Sequence, residues 1–100
     1  MELKLTTQQS QPLETLIFTN KKSCQPCKNL KAYLNEHHSD FKFTEVDVFE
    51  DMDEAMKYNV RSAPTIISID SNGKEVDRVV GYNDSVIEKI EHVILKQLKY

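Results

Sequence analysis

Apolar positions along the chain switch between two periods. Thr15-Leu16-Ile17-Phe18-Thr19 is a continuous β-branched and aromatic run, the pattern of a strand covered on both faces. From Cys27 the period lengthens. Cys27, Leu30, Tyr33, Leu34 and His37 share one helical face, which predicts a helix to Glu36 or His37 before His37-His38-Ser39-Asp40 breaks it. Residues 41–49 alternate, with Phe41, Phe43, Glu45, Asp47 and Phe49 on one parity and Val46 and Val48 on the other, and read as a second strand. Asp51 and Glu54 have capping-box spacing. Met52, Ala55, Met56 and Val60 then form a helical stripe, with both methionines expected in the core.

Pro64 ends that segment because it disfavours helical geometry at Ala63. Thr65–Ile69 reads as a third strand. Asn72-Gly73 is a hairpin signal, since both residues tolerate positive φ. Residues 74–82 return antiparallel, offering Val76, Val79 and Val80 to the core, and Gly81 closes the strand. Asn83-Asp84-Ser85 caps a last helix, and Ser85 with Glu88 repeats the capping-box spacing. Val86, Ile87, Ile90, Val93, Ile94 and Leu98 form that helix's apolar stripe, with His92 outward. Near the N-terminus, residues 2–6 alternate as a short strand would, and residues 7–14 are polar and broken by Pro12.

The order β-α-β-α-β-β-α with right-handed crossovers predicts an α/β domain: a mixed four- to five-stranded sheet with helices on both faces. A single domain spans residues 1–100, with 1–14 a short strand followed by a loop or helical turn, or a flexible segment. The composition agrees, with 39 % hydrophobic residues and only two glycines and three prolines in 100 residues. A net charge of −3, with charges interspersed, argues against nucleic acid as a partner. No stretch approaches the ~20 apolar residues of a membrane span. Residues 1–11 lack a secretory apolar core, so the expected location is the cytoplasm. Thiols there are mostly reduced, and a cysteine pair is more often catalytic or metal-binding than a staple.

Both cysteines lie in Lys21-Lys22-Ser23-Cys24-Gln25-Pro26-Cys27-Lys28, where the first core strand turns into a helix. Two cysteines one turn apart are near disulfide reach. The unpaired amides and positive dipole end of the helix stabilise a thiolate. Lys21, Lys22 and Lys28 add positive charge, Pro26 suits the first helical turn, and Ser23 is available as a cap. Cys24 is expected at the more exposed end as the nucleophile, and Cys27, one turn in, as the resolving thiol. Gln25 and Pro26 are placed to tune the potential. No metal site is expected, because two cysteines fall short of four ligands and His37-His38 is outside common finger spacing.

Three features in this order resemble the thioredoxin superfamily. They are Cys24-Gln25-Pro26-Cys27-Lys28, the run Lys57-Tyr58-Asn59-Val60-Arg61-Ser62-Ala63-Pro64-Thr65, and the Asn72-Gly73 hairpin followed by Gly81. The resemblance implies a thioredoxin-like fold and a thiol–disulfide oxidoreductase that reduces protein disulfides through Cys24 and Cys27. It implies no cofactor beyond that redox-active disulfide, a monomer, and a thioredoxin-reductase-like electron donor. It further implies a cis Pro64 facing the cysteines, and a substrate surface of Ser23, Ala63, Pro64, Thr65 and Gly81. Two positions depart from the family. Ser23 stands where thioredoxins usually have Trp, and Phe18 stands where many bury an Asp that takes the proton of the second cysteine. Water, Lys22 or another acid must then serve. Glu45 and Asp47 are candidates by strand position, although exposed strand carboxylates are the commoner reading. A glutaredoxin-like, glutathione-dependent enzyme is the nearest alternative, although Gln25-Pro26 and Ser62-Ala63-Pro64-Thr65 fit thioredoxin better. A non-catalytic module using Ala63, Pro64 and Tyr82 as a peptide surface is another.

Overall fold

The computed structural model describes residues 13–99. The strand and polar stretch expected before Leu13 lie outside the described residues. Those described form β1 (Glu14–Thr19), α1 (Gln25–His37), β2 (Thr44–Asp47), α2 (Met52–Lys57), β3 (Thr65–Ile69), β4 (Glu75–Val80), a 3-10 turn (Asp84–Val86) and α3 (Ile87–Lys99). The sheet runs β2-β1-β3-β4. β1 and β2 are parallel, joined through α1, while β1 with β3 and β3 with β4 are antiparallel. The result is an α/β fold on a mixed sheet of four strands among the described residues.

Alternation along the central strands builds a core on each face. Ile17, Ile66 and Val79 meet Leu30 and Leu34 of α1 and Ile90, Val93 and Ile94 of α3. On the opposite parity Leu16, Phe18, Val46, Ile67 and Ile69 meet Ala55 of α2. β1 and β3 are the buried strands, as their continuous apolar runs require. Gln97 adds a polar tie, its Nε2 donating to Thr15 Oγ1 at 2.8 Å and to the Lys42 carbonyl at 2.7 Å.

Several expectations are corrected. The second strand spans only Thr44–Asp47, because Asp47 Oδ1 accepts the Phe49 and Glu50 N–H groups and turns the chain. Phe49 is 57 % exposed. Met52 and Met56 are 57 % and 73 % exposed rather than core. α2 is only six residues long and buries Ala55 alone. The chain leaves it through Asn59 at φ 55. Val76 and Val80 are also exposed, since β4 is an edge strand and only its Val79 is buried. Leu98 lies outside the buried stripe of α3. At the hairpin only Gly73 has positive φ, and Asp70 Oδ1 organises the turn by accepting the Asn72 and Lys74 N–H groups, each at 2.9 Å. Asn83 caps the 3-10 turn, and the Ser85 hydroxyl donates back to it instead of capping α3.

Candidate active site

The site is assembled where β1 ends. Asn20 Oδ1 accepts the Lys22 N–H at 3.0 Å, and the Lys21 N–H donates to Asp47 Oδ2 at 3.0 Å. Those two bonds shape the loop that delivers Cys24 to the start of α1. Cys24, not Ser23, is the N-cap: its backbone is extended and its Sγ accepts the Cys27 N–H at 3.2 Å. A sulfur in this position takes over one of the orphan donors of the first turn. Cys24 and Cys27 are joined in a disulfide, with Cα atoms 5.2 Å apart. Cys24 is half-buried, whereas Cys27 is 3 % exposed. Attack from outside therefore reaches Cys24 first. No acidic residue stands in the first turn of α1.

Opposite the cysteines, the Ala63–Pro64 peptide is cis. The Ala63 carbonyl oxygen lies 3.7 Å from Cys24 Sγ. Pro64 is buried, and its carbonyl accepts the Gly81 N–H at 2.7 Å. Gly81 has φ +88, a conformation that disfavours any side chain. The Thr65 side chain turns inward, donating its hydroxyl to the Ser62 carbonyl at 2.8 Å, and so pins the turn. Ser23 and Pro26 are exposed, and Gln25 donates its amide to Asn29 Oδ1.

Beside the disulfide lies a cavity of about 100 Å³, lined by Thr19, Asn20, Lys21, Cys24, Cys27, Lys28, Lys31 and Glu45. Lys31 Nζ reaches both Glu45 oxygens, at 3.2 and 3.1 Å, and the Thr19 hydroxyl donates to Glu45 Oε2 at 2.8 Å. Burial raises the Glu45 pKa, but the bonds from Thr19 and Lys31 and the lysine charges outweigh it and hold the carboxyl below its ordinary value. Asp47 is likewise held low, first by the Lys21 N–H and then by the Glu50 and Phe49 N–H groups, against its burial. These are therefore not exposed strand carboxylates: Asp47 is 7 % exposed and Glu45 is partly covered. Lys22 is exposed and outside the cavity lining, which instead includes the exposed Lys21 and Lys28 and the partly covered Lys31. Sequence reasoning missed Lys31, although it follows Cys27 by four residues and so shares its helix face. Phe18 packs in the opposite core, its ring 6.1 Å from that of Tyr58. His37 and His38 cluster with Tyr33, and His38 Nε2 lies 2.8 Å from Glu91 Oε2.

A disulfide at a strand–helix junction, faced by a buried proline on a sheet of this order, defines a thioredoxin-like protein. Comparison with known proteins agrees. The family model described as thioredoxin-like domain matches residues 1–96. An SPbeta prophage-derived thioredoxin-like protein of Bacillus subtilis, YosR, is 30 % identical over 84 residues, covering 84 % of this chain and 98 % of that one. Thioredoxin-2 of Saccharomyces cerevisiae is 42 % identical over 69 residues, 66 % of this chain and 65 % of that protein. The X-ray structure of Fasciola hepatica thioredoxin superposes with a TM-score of 0.71 at 29 % identity, covering 96 % of this chain and 90 % of that one. The chain belongs to the thioredoxin-like family, and its cysteine pair supports thiol–disulfide oxidoreductase chemistry.

Proposed function

We propose that the chain is a cytoplasmic, monomeric protein-disulfide reductase working through Cys24 and Cys27 and recharged by a thioredoxin-reductase-like donor. The observation that carries this reading is the half-buried Cys24 at the N-terminus of α1, disulfide-bonded to an almost fully buried Cys27. In the reduced form the Cys24 thiolate is stabilised by the Cys27 N–H and the helix end. It attacks a substrate disulfide. A Cys24–substrate bond forms, and the other substrate sulfur leaves as a thiolate. The substrate lies extended along Ala63, with Ser23, Pro64 and Gly81 around it, while Gln25, Pro26, Lys22 and Lys28 set the electrostatics of the motif. The Cys27 thiol then loses its proton, and its sulfur attacks Cys24 Sγ. The second substrate sulfur is released, so the substrate gains two electrons and the protein is left with the Cys24–Cys27 disulfide. Among the described residues Glu45 is the one carboxylate lining the cavity with Cys27, and it relays that proton to water.

Reduction of a protein disulfide by the reduced chain tests this reading. Cys24→Ser abolishes turnover, and Cys27→Ser accumulates a covalent substrate adduct through Cys24, read by mass spectrometry. Equilibration in thiol–disulfide buffers should place the pair toward the ~−270 mV of a reductant rather than the ~−120 mV of a strong oxidant. A Cys24→Ser variant that still reduces disulfides refutes the assignment.

A further inference from the structure

The cavity beside the disulfide carries charge that the exchange chemistry does not itself require. The chain is net negative, at −3. Yet among the described residues the cavity is lined by three lysines, Lys21, Lys28 and Lys31, and by one acidic residue, Glu45. Lys31 is committed to that carboxylate. Lys21 only touches Glu50, at 4.0 Å, with both side chains exposed. Lys28 makes no ion pair among the described residues. The first turn of α1 holds no acid to oppose them, and its dipole adds to the positive potential. Nearby acids are engaged: Asp47 with three backbone N–H groups, and Asp51 with the Glu54 N–H.

Resting on the reductase reading, we propose that this cavity recognises a carboxylate on the substrate, close to the sulfur that Cys24 attacks. A carboxylate there repels an incoming thiolate, and in the absence of counter-charge it slows exchange. Lys21 and Lys28 reverse that penalty. Ser23, small, polar and exposed just before Cys24, supplies no aromatic shelf that would favour apolar flanks instead. The carboxylate has two sources with the same chemistry: an Asp or Glu beside a protein cysteine, or the carboxylates of glutathione disulfide.

The test uses the reduced full chain and its Lys21→Gln/Lys28→Gln variant. Second-order rates are measured for oxidation by matched peptide disulfides with Asp, Asn or Lys beside the cysteine, and by glutathione disulfide. The Asp peptide should outpace the Asn peptide by about three- to tenfold at low salt, the scale of two exposed ion pairs. The ratio should approach one near 1 M salt, where the screening length is about 3 Å. The double variant should lose the preference at every salt concentration. Because both lysines also act on the Cys24 thiolate, the readout is the ratio between substrates, from which any general change in reactivity cancels. An Asp preference with slow glutathione disulfide assigns the carboxylate to a protein residue. A glutathione rate that falls in the variant relative to the Asn peptide assigns it to glutathione. If neither the Asp:Asn nor the glutathione:Asn ratio changes between the two proteins while all peptides are reduced, the carboxylate proposal is overturned and the reductase reading stands. If no disulfide is reduced, both fall.

Discussion

Asp47→Asn is the sharpest test of how the site is held. One carboxylate joins the two loops that flank it: Oδ2 accepts the Lys21 N–H at 3.0 Å, and Oδ1 accepts the Phe49 and Glu50 N–H groups at 2.8 and 3.0 Å. A hydrogen bond to a charged group contributes about 1.5–3 kcal/mol. Asn keeps an oxygen for Phe49 and Glu50 but turns an NH₂ toward the Lys21 N–H, setting donor against donor. The expected loss is about 2 kcal/mol in urea unfolding with an unchanged m-value. At 4–8 °C per kcal/mol for a chain of this size, Tm should drop by roughly 10 °C. Asp47→Ala removes all three acceptor contacts and should cost about 4 kcal/mol once water has resolvated part of the loop. The carboxyl is held below its ordinary value in the fold. Its stabilisation is therefore complete above the unfolded pKa of about 3.9 and is lost as pH falls through the folded value. The gap between wild type and Asn should close on acidification. An Asn variant within about 0.5 kcal/mol of wild type at pH 7, or a gap that does not shrink at all as pH falls below the unfolded pKa, refutes the reasoning.

Three further outcomes are expected. Glu45→Gln should slow release of the Cys27-resolved product at neutral pH by at least about tenfold and move the rising limb of its pH profile upward, since the acceptor for the Cys27 proton is gone. Lys31→Met should raise the Glu45 pKa, measured by NMR titration, because its hydrogen bonds and charge help hold it down. Tyr33, whose O–H donates to the Glu91 carboxylate and is partly buried, has its pKa raised to about 12. The stability this contributes is present below pH 10 and lost between 10 and about 12, and Tyr33→Phe should remove a phenol titrating near 12 from the absorbance curve.

Much of the fold was legible because periodicity and burial coincide. β1, α1 and β3 carry long apolar patterns, and they appear within a residue or two of their expected bounds. Cys24 and Cys27 were legible because two cysteines at one-turn spacing fall at a change of period. Met52 and Met56 misled because an apolar helical stripe does not say whether a surface exists to meet it; this six-residue helix buries only its own Ala55 against the sheet. Val76 and Val80 misled for the same reason on an edge strand. Asp47 and Glu45 were underrated because the partners that tie them to the site, the Lys21 N–H, Thr19 and Lys31, are distant in sequence and come close through the packing of β1 and α1 on β2, in a register that places Thr19 beside Asp47 and Ile17 beside Glu45. Long-range polar satisfaction of this kind leaves no periodic trace.

The slender attachment of α2 has a kinetic meaning. A helix of six residues is far below the ~12–15 that make an isolated helix even marginal in water, so α2 exists by its packing. That packing is Ala55, with Tyr58 and Val60 beside it. Amide hydrogens of α2 should exchange with solvent through local opening, while those of β1 and β3 wait for the whole molecule to unfold. Because the turn toward α2 is held by the Asp47 carboxylate, which also accepts the Lys21 N–H, the loop leading to Cys24 is tied to the part of the fold that opens first.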